Sequence, residues 1–142
     1  MSESAARPYS ETAESMLAFV RQGQVLATDC PSRVVLNHVC SRWGVLVLVV
    51  LRGGVHRFSE VRRKIGGVSE KMLAQTLQHL EQDGFVIRKS LPVVPPHVQY
   101  SLTPMGEEVA LQVETLATWI ETNLPRIMQA REASAQAQVK LV

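Results

Sequence analysis

Apolar positions first become periodic after Ser10, where Ala13, Met16, Leu17 and Val20 fall on one face of a helix that Ser10 caps and Gly23 weakens. Residues 1–9 are polar, contain Pro8 and show no period, which predicts a disordered arm. A second helix starts at Asp29-Cys30-Pro31, with Pro31 suited to the first turn. Val34, Val35 and Val39 continue it towards Arg42-Trp43, and Gly44 interrupts it. The run Val45 to Leu51 is uninterrupted and rich in β-branched residues, so propensity alone predicts a buried strand. Periodicity cannot separate that strand from a buried helix. Beyond Gly53-Gly54, Ser59 is placed to cap a short helix with Val61 and Ile65 one turn apart, and Gly66-Gly67 ends it.

The most legible helix runs from a Ser69 cap to a Gly84 stop. At about 100° per residue, Leu73, Leu77 and Leu80 share an arc of about 60°, with Thr76 beside them. Gln75, Gln78 and Gln82 fall within about 40° of Lys71, on the opposite side. Next, Phe85 to Ser90 reads as a strand, and Val98, Tyr100 and Leu102 alternate with Gln99 and Ser101 as its hairpin partner. Pro92, Pro95 and Pro96 predict a stiff, projecting connection between them. Thr103-Pro104 opens a last helix whose Val109, Val113, Leu116, Ile120 and Leu124 form an apolar seam beside Trp119. Pro125 bends or ends it, and the final residues are expected to fray. The predicted organisation is an arm (1–9), an N-terminal dimerisation helix (10–28), a DNA-binding domain (29–103), a C-terminal dimerisation helix (104–131) and a frayed tail (132–142). No internal repeat is present.

A chain of 142 residues fits one domain, and 46% hydrophobic with 20% charged residues is ordinary globular usage. No apolar run approaches the ~20 residues of a spanning helix. Glu3, Glu11 and Glu14 near the start do not fit a secretory signal, so a cytoplasmic protein without a membrane partner is expected. The net charge of +2 conceals unlike segments. Residues 52–90 carry a net +4, residues 30–51 carry two arginines and no acid, and residues 1–29 and 91–142 are each net −2. A basic middle between acidic ends suits a polyanion-binding module with separate assembly elements, although a solvated face carries similar charge.

Short helix, glycine break, amphipathic helix with a polar outer stripe, then a basic hairpin is the order of a winged helix-turn-helix. The second helix must bury one face and leave the other free for the major groove, where Gln75 and Gln78 can bond base edges and Lys71 can reach guanine or phosphate. Ser59, Ser69, Met72 and His97 adjoin that surface, and Arg62, Arg63, Lys64, Arg88 and Lys89 are placed to neutralise phosphates. A polar stripe is also what any surface helix shows.

The segments Cys30-Pro31-Ser32-Arg33, Ser41-Arg42-Trp43-Gly44, Arg57 to Arg63, Val68 to Leu73, Leu80 to Gly84 and Tyr100 to Gly106 together resemble the HxlR-type regulators, over about Cys30 to Trp119. The resemblance implies a mainly α fold with a small β-hairpin wing (α+β), a dimeric winged helix-turn-helix related to MarR-type proteins. It turns the run Val45 to Leu51 into a buried helix. It implies that the N-terminal segment and last helix build the dimer, through Met16, Leu17, Val20, Val113, Leu116 and Ile120. It also implies that the Cys30 position can sense oxidants, quinones or aldehydes.

Two cysteines in a cytosolic chain are no disulfide framework. On one helix, Cys30 and Cys40 would stand about 15 Å apart, too far to pair. Cys30, at a predicted helix start with Arg33 one turn on, favours the nucleophilic thiolate, whereas Asp29 opposes it. It is either a sensor of small electrophiles or a packed side chain, and Cys40 reads as a small buried hydrophobe. His38, His56, His79 and His97 have no partners at metal-ligand spacing, and Gly66-Gly67 lacks a phosphate-loop context, so neither metal, cofactor nor catalytic residue is expected. The function expected is a homodimeric regulator, a local repressor, bound to double-stranded DNA at an inverted repeat. Its rivals are a winged-helix module that binds protein, or a small thiol enzyme using Cys30, for which no base is evident.

Overall fold

A computed structural model describes Leu26, Thr28 and residues 30–141. The predicted arm, the Ser10 cap and the face of Met16, Leu17 and Val20 lie outside the described residues. The first described helix is α1 (Pro31–Val39). The Cys30 backbone carbonyl accepts from the N–H groups of Arg33 and Val34 at 3.0 and 3.3 Å, and the Arg33 guanidinium donates to the Leu26 carbonyl at 2.6 Å.

From Val39 onward the order is α2 (Arg42–Leu51), β1 (His56–Arg57), α3 (Phe58–Ile65), α4 (Glu70–Gln82), β2 (Val86–Leu91), β3 (His97–Leu102), α5 (Pro104–Thr122) and α6 (Leu124–Leu141). The β-branched run is helical, against its strand propensity. Ser41 caps α2 by accepting from Gly44 N–H at 3.0 Å, so Gly44 belongs to the helix and does not interrupt it. Val47, Leu48 and Leu51 are fully buried, and α2 packs against α3, α4 and α5. Packing on several sides gives this helix its apolar periphery and overrides a weak local preference.

Around α2 the core gathers Val61, Leu73, Leu77, Leu80, Phe85, Val86, Tyr100, Ala110 and Val113. The α3–α4 turn uses Gly66 and Gly67 at φ 71° and 77°, a region that disfavours other side chains. The cap of α3 differs from expectation. Arg57 occupies the cap position, its N–H donates to Glu60 Oε1 at 3.1 Å, and Ser59 lies within the helix. Ser69 does cap α4, accepting from Met72 N–H at 3.1 Å. At the other end Phe85 N–H donates to Leu80 O and Gly84 N–H to Glu81 O, a Schellman closure with Gly84 at φ 84°.

The hairpin strands form as expected, but β1 adds to them in an antiparallel sheet of order β1-β3-β2. A two-residue strand has no period to read. Thr103 caps α5 and also ties it to the end of α4, donating to Gly84 O at 2.6 Å. Gly106 lies so close to Phe85 that an added Cβ would stand 2.0 Å from its carbonyl oxygen. Helix α6 continues to Leu141, where the sequence predicts fraying. Ala130, Ala133, Ala135 and Ala137, interspersed with glutamines, supply the helix propensity. The mainly α architecture with its small sheet is a winged helix-turn-helix. Among the described residues no single helix is long and apolar enough to cross a membrane.

Candidate nucleic-acid interface

Helix α4 divides as its 3.6-residue period requires. Leu73, Thr76, Leu77 and Leu80 are buried, whereas Lys71, Met72, Gln75 and Gln78 are exposed. Thr76 satisfies its hydroxyl by donating to Met72 O at 2.8 Å. The free face therefore begins at the Ser69 cap and carries one cation and a file of amides.

Beside the start of α4 lies an open cleft of about 650 Å³, walled by Phe58, Ser59, Arg62, Arg63, Val68 and Ser69 among others. Two of the predicted phosphate ligands here are already engaged. Arg62 Nε donates to Val68 O at 3.1 Å and its Nη1 pairs with Glu70 at 3.2 Å, so this guanidinium braces the α3–α4 turn. Lys64 Nζ donates to His56 Nε2 at 2.7 Å. Because an ammonium only donates, Nε2 of the buried His56 is the acceptor, and its Nδ1 lies 2.6 Å from Gly54 O, which can only accept. Arg63, exposed, forms no salt bridge among the described residues.

On the wing, Arg88 and Lys89 are both exposed but are adjacent in a strand and point to opposite faces. Arg88 shares its face with Tyr100, and Lys89 shares its face with Gln99. His97 is the first residue of β3, and its Nε2 lies 3.1 Å from Arg57 Nη2. Arg57 and Gln99 were not among the predicted residues; the alternation of β3 signals Gln99, whereas the two-residue β1 that holds Arg57 has no period to read. Arg52 leaves the basic set for another reason. It pairs with Glu114 at 2.6 Å and Glu107 at 3.5 Å, linking the end of α2 to α5.

The predicted dimer residues separate as well. Val113 is buried in the chain's own core, whereas Leu116, Trp119, Ile120, Leu124 and Met128 are exposed and continue as an apolar band along α5 and α6. Cys40, expected to be a small buried hydrophobe, is exposed in the break between α1 and α2, and of the two readings left open for Cys30 its side chain is packed, at 7% exposure. Both thiols are free. Among the described residues no cluster of three His, Cys, Asp or Glu side chains is placed to hold a metal ion.

Comparison with known proteins agrees with this geometry. The HTH-type transcriptional regulator YtfH of Escherichia coli (strain K12) is 64% identical over 116 residues, 82% of this chain and 92% of the relative. The solved structure of the transcriptional regulator ytfH from Salmonella typhimurium is 68% identical and superposes with a TM-score of 0.73, covering 75% of this chain and 96% of that one. The redox regulator HypR in its oxidised form is 34% identical with a TM-score of 0.61, covering 66% and 97%. The model of the HxlR-like helix-turn-helix matches residues 38–128, the span that holds the turn, α4 and the wing, and the chain belongs to this family of transcriptional regulators with a helix-turn-helix DNA-binding fold.

Proposed function

We propose that the protein is a homodimeric, cytoplasmic repressor that binds an inverted-repeat operator and answers thiol-reactive compounds through Cys30. The observation that carries DNA reading is the exposed Lys71, Gln75 and Gln78 face of α4, opposite three buried leucines. In this reading α4 enters the major groove, Gln75 and Gln78 bond base edges, and Met72 touches apolar base atoms. Ser59, Ser69 and Arg63 hold the backbone beside the cleft, and Arg88, Lys89 and His97 hold it from the wing. Arg62 and Lys64 contribute positive charge while positioning the turn. The exposed band from Leu116 to Met128 supports pairing with a second copy, which sets two recognition helices on one duplex.

For thiol sensing, support comes from HypR, a solved relative described as a redox regulator. Because Cys30 is buried, reagents reach it through local opening, and added bulk there alters the packing that spaces the two DNA-binding halves. The test follows binding to DNA upstream of the chain's own gene by mobility shift. Wild type, Cys30→Ser and Cys40→Ser are titrated with diamide and benzoquinone. Loss of response in Cys30→Ser alone is expected, and a normal response in that variant removes sensing from Cys30. Absence of any shift with the unmodified protein removes the DNA-binding reading.

A further inference from the structure

The chain entering α3 buries a histidine against a lysine. His56 is 3% exposed, and both of its ring nitrogens are engaged. Nδ1 lies 2.6 Å from the Gly54 carbonyl, which can only accept, and Nε2 lies 2.7 Å from the Lys64 ammonium, which can only donate. The ring is therefore neutral, with its proton on Nδ1 and its lone pair turned to Lys64. Lys64 itself is exposed, one turn after Glu60 and next to Arg63 on α3.

A second proton on this ring forces its partner to move. The Nε2 lone pair that accepts from Lys64 bonds a proton taken from solvent, Lys64 keeps its own three, and two cations then face each other at hydrogen-bond distance. Only one of them is free to leave. The imidazolium stays packed and bonded to Gly54 O, whereas the ammonium ends a flexible, exposed stem. Helix α3 and strand β3 pack against β1. From α3, Glu60 is an acid within electrostatic reach of His56, which favours the imidazolium, although it also attracts Arg57 and Arg63 and already accepts the Arg57 backbone N–H. From β3, the facing group is the uncharged phenol of Tyr100, paired with His56 across the ladder. On β1 itself, Arg57 follows on the opposite face, in contact with His97.

We propose that His56 is a proton-operated latch: neutral, it holds Lys64 against β1, and protonated, it expels Lys64 as an added cation for DNA, so that operator affinity rises in mild acid. The proposal rests on the DNA-binding reading above and adds regulation by pH to it. His56 acts through Lys64, so it is a positioning residue. Released Lys64 stands on the helix that already presents Ser59 and Arg63 to the cleft.

Full-length protein is titrated with DNA from upstream of its own gene at about pH 7.5 and about pH 5.5, either side of the range in which histidine titrates, with a salt series at each. In wild type the log–log salt slope should steepen in acid by about 0.9 per subunit more than in Lys64→Gln or His56→Gln, the value of one further phosphate contact, with about 10-fold more gain in affinity. Lys64→Gln has no ammonium to release. His56→Gln can donate to Gly54 O and accept from Lys64 at both pH values, so the latch stays shut. His79 and His97 are present in all three proteins, so their titration cancels in the comparison. Melts at both pH values check folding, and if His56→Gln does not fold, wild type against Lys64→Gln decides. An acid increment as large in either folded variant as in wild type overturns the latch alone. Failure of wild type to bind any upstream fragment at either pH overturns the underlying reading instead.

Discussion

Lys71 and Gln75 stand on the same exposed arc of α4, yet they are expected to fail differently from the cations of the wing. Alanine at either position should cost about 1–3 kcal/mol at particular base pairs, read by competition across operator variants. Arg88→Ala should weaken all sequences alike. Arg62→Ala should weaken them alike too, but with a lower melting temperature, because its guanidinium holds Val68 O and Glu70. An unchanged melt for Arg62→Ala would return it to the phosphate contacts. The two faces of α4 were legible in the sequence because one period governs thirteen consecutive residues. The commitments of Arg62 and Lys64 were not, since Val68 O and His56 meet them only through the folded turn. Cys40 misleads for a similar reason: it sits in a helix break that the valine pattern bridges without a mark.

Each element is held by a small number of contacts that can be perturbed separately. Gly106 lets α5 approach the Phe85 backbone, so Gly106→Ala should destabilise the fold by about 1–3 kcal/mol in urea unfolding, with little change in the slope. At the start of α3, the hydrogen bond from Arg57 N–H holds the Glu60 carboxyl below its ordinary value of 4.5. A depressed folded value means that this contribution is complete above about 4.5 and is lost as pH falls through the lower folded value. Amide exchange at Arg57, corrected for its intrinsic pH dependence, should therefore show less protection in acid, and Glu60→Gln should flatten that profile. Caps were readable where a hydroxyl supplies them, as at Ser69 and Thr103. At α3 the capping carboxylate lies inside the helix, and Ser59 drew the boundary two residues late. In α2 the valines speak for a strand, and only surroundings on several sides make them helical.

Across the whole molecule, charge and apolar surface divide the labour. Arg52 and Arg62 are paired with carboxylates, whereas Arg57, Arg63, Lys71, Arg88 and Lys89 are among the cations that form no salt bridge with the described residues. Operator affinity should accordingly fall steeply with salt in a mobility-shift series. The band on α5 and α6 should carry assembly, so Leu116→Asp/Ile120→Asp should shift the mass in light scattering to a monomer and abolish tight operator binding. A dimer of unchanged mass would move the interface elsewhere. The seam was visible as a heptad-like pattern, but Val113 shows that pattern does not tell the core of one chain from the contact between two. The wing carries a last consequence in its arithmetic of odd and even. Because Arg88 and Lys89 are neighbours on opposite faces, deleting one residue within β2 transposes inward and outward side chains, while deleting two preserves their parity. Length variants of this hairpin should thus fall into two classes, the odd ones behaving as charge mutants although no cation has been lost.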